Sequence, residues 1–120
     1  MLAGIARHSE TEALVALEVD DVDGVLRARP AHDGETEPFL DAGADPEVAG
    51  VYDHFKGGVY TVVCRAIDGD GDELWAYLTE DASPWVRPAS MFLEHVERDG
   101  YAGPRFRKRP RQDSNLQPDG

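Results

Sequence analysis

Val59-Tyr60-Thr61-Val62-Val63-Cys64-Arg65-Ala66, then Asp68-Gly69-Asp70-Gly71, then Glu73-Leu74-Trp75-Ala76-Tyr77-Leu78-Thr79 is the run whose reading decides the fold class. Tyr60, Val62, Cys64 and Ala66 alternate with Val59, Thr61, Val63 and Arg65, a period of two that predicts a strand over 58–66. The aspartate-glycine cluster supplies residues that tolerate positive φ and reads as a turn. Residues 73–79 return as a second strand, with Leu74, Ala76 and Leu78 on one face and Trp75 and Tyr77 on the other. Two strands joined by so short a turn make an antiparallel hairpin.

Working outward toward the C-terminus, Glu80-Asp81-Ala82-Ser83 reads as a second turn and Pro84-Trp85-Val86-Arg87 as a short strand stopped by Pro88. Pro88-Ala89-Ser90-Met91-Phe92 suits one helical turn. A further strand is expected over 93–96, and a turn at Asp99-Gly100. Nine of the ten aromatic residues lie between 51 and 106, only Phe39 falling outside, so the packed core belongs there. Short strands at this spacing with apolar residues on both faces predict an all-β protein, a small antiparallel barrel rather than an open sheet.

The N-terminal half has another texture. Residues 2–19 are short and apolar-rich; residues 20–50 are acidic and rich in Gly, Ala and Pro, and read as loop or linker with one short strand. At an offset of 60, Ala6, Leu14 and Ala16 coincide with Ala66, Leu74 and Ala76, and Ala28-Arg29-Pro30-Ala31 echoes Val86-Arg87-Pro88-Ala89 at an offset of 58. A rival reading makes the first copy a helix, because Ser9-x-x-Glu12 is a capping-box pattern before an apolar run.

Length and charge bound the function. A chain of 120 residues holds one compact domain or two very small ones. No apolar run is long enough for a membrane span and no apolar signal core opens the chain, so the expected location is cytoplasmic. Cys64 is the single cysteine, which excludes an internal disulfide and a cysteine-cluster zinc site. Residues 1–104 hold 22 acidic against 7 basic side chains, residues 105–120 hold 2 against 5, and the net charge is -12. Such a body repels phosphate backbones and favours a soluble monomer.

Three blocks carry a resemblance. Tyr52-x-His54-Phe55-Lys56-Gly57-Gly58-x-Tyr60, then Trp85-Val86-Arg87-Pro88, then Met91-Phe92-x-Glu94 resemble, in order and spacing, the bacterial domain-of-unknown-function family sixteen fifty-three over residues 51–106. The resemblance implies an SH3-like barrel. A segment like Ala6-Arg7-His8-Ser9-Glu10-Thr11 is expected between the first two blocks, but Arg65-Ala66-Ile67-Asp68-Gly69-Asp70 stands there. A tandem duplication with divided losses accounts for this: a degenerate partial copy and acidic linker over 1–48, the barrel over 49–107, and a disordered tail over 108–120. On this reading residues 51–107 fold alone.

Each candidate chemistry has a plainer rival. Asp68-x-Asp70-x-Asp72 opens like a calcium loop, yet Glu73 and Thr79 stand where that loop needs Gly and Glu, so it reads as an acidic turn. His8, His32, His54 and His95 share no metal-ligand spacing, and Ser9 beside His8 is too local to be a nucleophile and its base. Cys64 reads as a small hydrophobe with no base beside it. No phosphate loop, nucleophile elbow or zinc-protease pattern occurs, so no enzyme activity, cofactor or metal is expected.

What remains is binding. Trp75 and Tyr77, with Arg87, are expected to offer a flat aromatic surface to an extended peptide, while Trp85, Met91 and Phe92 plug the barrel end. His54 and Lys56 join them as candidate binding residues at the barrel mouth. The expected function is a non-enzymatic binding module for a protein or peptide partner. One alternative is a nucleic-acid accessory protein using the basic segment 105–111, with Lys56, Arg65 and Arg87 as phosphate contacts. Another is a small-anion sensor in which His54 and Arg87 hold the ligand.

Overall fold

The computed structural model describes residues 1–109. β1 (Leu2–His8), β2 (Leu14–Val19) and β3 (Leu26–Pro30) form one antiparallel meander. β4 (Phe39–Leu40) and β5 (Gly50–His54) lead to a second meander of β6 (Val59–Ile67), β7 (Glu73–Leu78) and β8 (Pro84–Pro88). α1 (Ala89–Phe92) is a single helical turn, β9 (His95–Arg98) and β10 (Tyr101–Pro104) form a separate hairpin, and β11 (Phe106–Lys108) pairs with β5. The all-β expectation holds.

The two meanders close on each other. β1 lies parallel beside β8, with Arg7 opposite Trp85 and His8 opposite Val86, and β3 lies parallel beside β6, with Arg27 opposite Ile67. The Ser9 amide extends the first junction by donating to the Val86 carbonyl at 2.9 Å. The path β1-β2-β3-β6-β7-β8 therefore returns to β1 as a barrel-like ring. Pairings inside 50–108 are antiparallel, and the two parallel ones join that segment to the N-terminal strands.

One sheet serves two cores. Inside the ring, Ala6, Leu17, Ala28, Cys64, Ala66, Leu74, Ala76 and Val86 pack together. A ring of six strands is narrower than the eight-stranded barrels whose interiors side chains just fill, which explains why half of these residues are alanines. The other face of β6, β7 and β8 carries a large-residue core of Val48, Tyr52, Val62, Trp75, Tyr77, Phe92 and Phe106, covered by β5, β11 and α1. A register shift between Val62 and Cys64 lets β6 serve both. Residues two apart on a regular strand share a face; the bulge sends Val62 to the aromatic core and Cys64 to the ring interior.

Several expectations need correction. The capping-box helix does not form: residues 9–13 make a turn between β1 and β2, with Glu12 at φ 61 and its amide on the His8 carbonyl. The C-terminal strand lies at His95–Arg98 rather than 93–96, because α1 ends by bonding the Leu93 amide to the Ala89 carbonyl. The linker is tied down. β4 pairs with Gly4 and Ile5 of β1, Asp45 meets Arg65 at 2.7 Å, and the Val48 carbonyl accepts the Tyr52 hydroxyl at 2.9 Å. Lys108, expected in the tail, belongs to β11, and the Arg109 amide donates to Val51; the rest of the expected tail lies outside the described residues. Among the described residues no helix is long and apolar enough to cross a membrane.

The equivalences at offsets of 60 and 58 fall on corresponding strands. Ala6 and Ala66, Ala16 and Ala76, and Ala28 and Val86 are all buried, and β3 and β8 coincide residue for residue at the offset of 58.

Candidate functional site

The site is built at the junction of β5, the turn after it, β8 and β11. His54 ends β5, and its carbonyl accepts the Gly57 amide while its own amide donates to Gly58, closing a tight turn. Gly57 and Gly58 sit at φ +103 and +100, a backbone region that side chains oppose, so the turn needs glycine at both positions. The turn brings the Lys56 amide onto His54 Nδ1 at 3.1 Å. An imidazole that accepts at Nδ1 carries its neutral-form proton at Nε2, where it can donate.

Phe106 stands opposite His54 in the β5–β11 ladder, and their ring centres lie 4.9 Å apart. Tyr60 packs against Tyr77 and Phe106 at 5.3 and 5.4 Å. Arg87 of β8 points into the same group: its guanidinium carbon lies 5.2 Å from the Phe106 ring centre and 5.7 Å from that of Tyr77. Its Nε and one terminal nitrogen reach the Tyr77 hydroxyl at 3.4 Å, long for hydrogen bonds. Burial pushes the Tyr77 phenol above its ordinary pKa. Burial also lowers the His54 pKa, helped by the charges of Arg105, Arg87 and Lys56, so the imidazole is held neutral.

Of the five residues singled out from the sequence, His54, Lys56, Tyr77 and Arg87 converge here. The expected solvent-facing surface of Trp75 and Tyr77 is a correction: their relative exposures are 5% and 2%. The Trp75 ring stacks on Phe92 at 5.0 Å and its indole N–H donates to Glu73 at 2.8 Å. They are buried because β5, β11 and α1 cover the face that β6 and β7 alone would leave open. Trp85, two residues before Arg87 on the same face, is partly exposed instead.

Beside this cluster runs a groove of about 480 Å³ between the turn at Gly58 and the turn at 79–83, lined by Tyr60, Trp85, Glu80 and Asp81 among others. Tyr60 and the groove were not singled out from the sequence. The available signal was the i, i+2 relation of Trp85 to Arg87 on one strand face. A second concavity, of about 600 Å³, opens at an end of the ring between Met1, Leu26, Ala42 and Cys64, with Asp41 and Asp45 at its border. Its walls carry no converging aromatic pair.

The remaining candidates take structural roles. Asp68 Oδ1 accepts the amides of Asp70 and Asp72 at 2.8 and 2.9 Å, so the aspartate cluster is organised as a turn. Cys64 is buried and its thiol is pushed up to about 11 by burial. His8 Nδ1 accepts the Glu10 amide, while the Ser9 hydroxyl is buried without a hydrogen-bond partner among the described residues; the two do not form a nucleophile–base pair. In the basic segment, Arg105 meets Glu94 at 2.9 Å, Arg109 grips both oxygens of Asp53 at 2.8 Å, and the Lys108 ammonium lies 6.0 Å from the Tyr52 ring centre. Three of its four described cations are thus engaged within the chain, which weakens the nucleic-acid reading.

With His54-Phe55-Lys56-Gly57-Gly58, Trp85-Val86-Arg87-Pro88 and Met91-Phe92 placed around one aromatic core, the comparison with known families is direct. Residues 50–108 match the family described as Protein of unknown function (DUF1653). That segment is a DUF1653 domain. The match begins at the start of β5 and ends at the last residue of β11, so it spans every aromatic residue of the large-residue core and leaves out Val48 and the N-terminal meander. No curated protein and no solved structure matches the chain.

Proposed function

We propose that this DUF1653 domain is a non-enzymatic binding module of SH3-like form that receives an extended peptide between Tyr60 and Trp85. The observation that carries the reading is the groove itself: two partly exposed aromatic side chains wall a cleft about 480 Å³ in volume. Flat rings suit a polyproline ridge, which arrives already extended and loses little conformational entropy on docking. Glu80 and Asp81 in its lining favour a basic residue in the ligand, and the Glu80 carboxylate is positioned by accepting the Val59 amide at 3.0 Å. The strand order β11-β5-β6-β7-β8, with the last strand paired to the first of the segment and a helical turn after β8, supports the SH3-like assignment.

The test is a panel of proline-rich peptides, each with one arginine, titrated against the full chain. Saturable binding at about millimolar Kd or tighter is expected, weakened about tenfold or more by Trp85→Ala and by Tyr60→Ala. Leu93→Ala, at an exposed apolar residue away from the groove, is the control and should bind normally. Absence of saturable binding across the panel, or equal binding by Trp85→Ala, would overturn the reading.

A further inference from the structure

We propose that Arg87, His54 and Lys56 form a binding site for a compact oxyanion, a carboxylate or a phosphoryl group. None of the three lines the peptide groove, and the proposal does not rest on the peptide reading.

The first observation is the state of Arg87. It is partly buried, with rings of Phe106, Tyr77 and Phe92 at 5.2, 5.7 and 5.9 Å from its guanidinium carbon. Among the described residues it makes no ion pair. Arg29, Arg65 and Arg105 are also partly buried and each meets a carboxylate, while Arg7 meets the Glu12 carbonyl at 2.8 Å. In a chain with 24 acidic residues, the lack of a counter-ion at Arg87 does not reflect a shortage of acids. A guanidinium has five N–H donors, and one phenol oxygen at 3.4 Å satisfies them poorly. A fork of donors held by ring packing is pre-organised for two parallel hydrogen bonds to an oxyanion.

The second observation is the company it keeps. His54 rests on the same Phe106 ring as Arg87, and its Nδ1 is occupied by the Lys56 amide, which leaves Nε2 as the donor. Lys56 is exposed on the turn, with its ammonium 5.8 Å from the Phe55 ring centre and no carboxylate partner among the described residues. Arg105 adds its charge nearby, though Glu94 partly neutralises it. The charges of Arg105, Arg87 and Lys56 all act on His54 in the direction that keeps it uncharged. Positive potential concentrated on one neutral imidazole is the field a bound anion would relieve.

The experiment uses the full chain and the Cε1 proton of His54, assigned by comparison with His54→Gln. Sodium phosphate and sodium acetate are titrated at pH 7 against sodium chloride at matched ionic strength, alongside a short peptide with a free C-terminal carboxylate and its amidated form. A saturable shift with phosphate or acetate, beyond that with chloride, is expected for a free anion; one with the free-acid peptide alone places the anion at a peptide terminus. Either supports the site. Arg87→Gln should weaken the affinity about tenfold, as loss of a charge-assisted pair implies. Lys56→Gln, at an exposed side chain, should weaken it about threefold with the fold intact, and decides the matter if Arg87→Gln fails to fold. Responses no larger than chloride for all four probes, or unchanged affinity in a folded Arg87→Gln or in Lys56→Gln, would overturn the proposal.

Discussion

Leu17→Ala asks whether the two halves of the chain are one cooperative structure. Leu17 has 0% relative exposure and lies in the ring core among Ala6, Ala28, Cys64, Ala66, Ala76 and Val86. Truncating a buried leucine removes its transfer free energy and leaves a cavity, at a cost of about 2–5 kcal/mol. Four of the buried neighbours are alanines that cannot reach into the space, while Leu74 and Val86 can close part of it, so the middle of that range applies, about 3–4 kcal/mol. With a urea slope of about 1–3 kcal/mol per molar for a small protein, the midpoint should fall by more than about 1 M. Both tryptophans, Trp75 and Trp85, sit in the second meander, whereas Leu17 sits in the first. Tryptophan fluorescence during urea unfolding therefore reports whether damage in β2 is felt in β7 and β8. A single transition displaced to lower urea is expected. An unmoved tryptophan midpoint would refute the shared core and restore two independent units.

The same account yields further outcomes. Gly4→Ala places a Cβ 2.9 Å from the Phe39 carbonyl oxygen and 3.1 Å from Leu40 Cδ1, so β4 must move off β1; a loss of about 1–3 kcal/mol by chemical denaturation is expected, and wild-type stability would count against the β1–β4 contact. Cys64, buried and with its thiol pushed up to about 11, should react with a disulfide reagent at pH 8 only on unfolding; rapid stoichiometric labelling of the native chain would contradict its placement. His54 has a lowered pKa in the fold, so the folded chain binds its proton less readily than the unfolded chain. The stability it contributes is present above about 6.5 and lost as pH falls through the lowered folded value. His54→Gln should flatten the decline in denaturation midpoint below pH 6.5, and an unchanged slope would show that His54 does not carry it.

The strands were legible where a period of two met turn residues. β6 and β7 were readable because Tyr60 to Ala66 alternate and Asp68-Gly69-Asp70-Gly71 breaks the run. The burial of Trp75 and Tyr77 was not. Apolar residues on both faces of a strand are the mark of two-sided burial, but here the second cover comes from β5, β11 and α1, which local pattern does not place. The ring closure was hidden for a related reason. Parallel neighbours come from strands distant in sequence, and these junctions involve as few residues as Arg7 with Trp85 and Arg27 with Ile67. The Ser9-x-x-Glu12 pattern misled because the pairing of β1 with three partners, β2, β4 and β8, outweighs a short helix. Arg87 was marked by its motif, whereas its want of a carboxylate among the described residues is a fact of three dimensions.

Closure of the ring is the central claim, and long-range nuclear Overhauser contacts across the β1–β8 and β3–β6 junctions test it most directly. Backbone contacts between Arg7 and Trp85, His8 and Val86, and Arg27 and Ile67, with slow exchange of the Ser9 amide, are the expected result. A spectrum in which residues 50–108 retain their own pairings while none of those contacts appears and the Ser9 amide exchanges freely would contradict it.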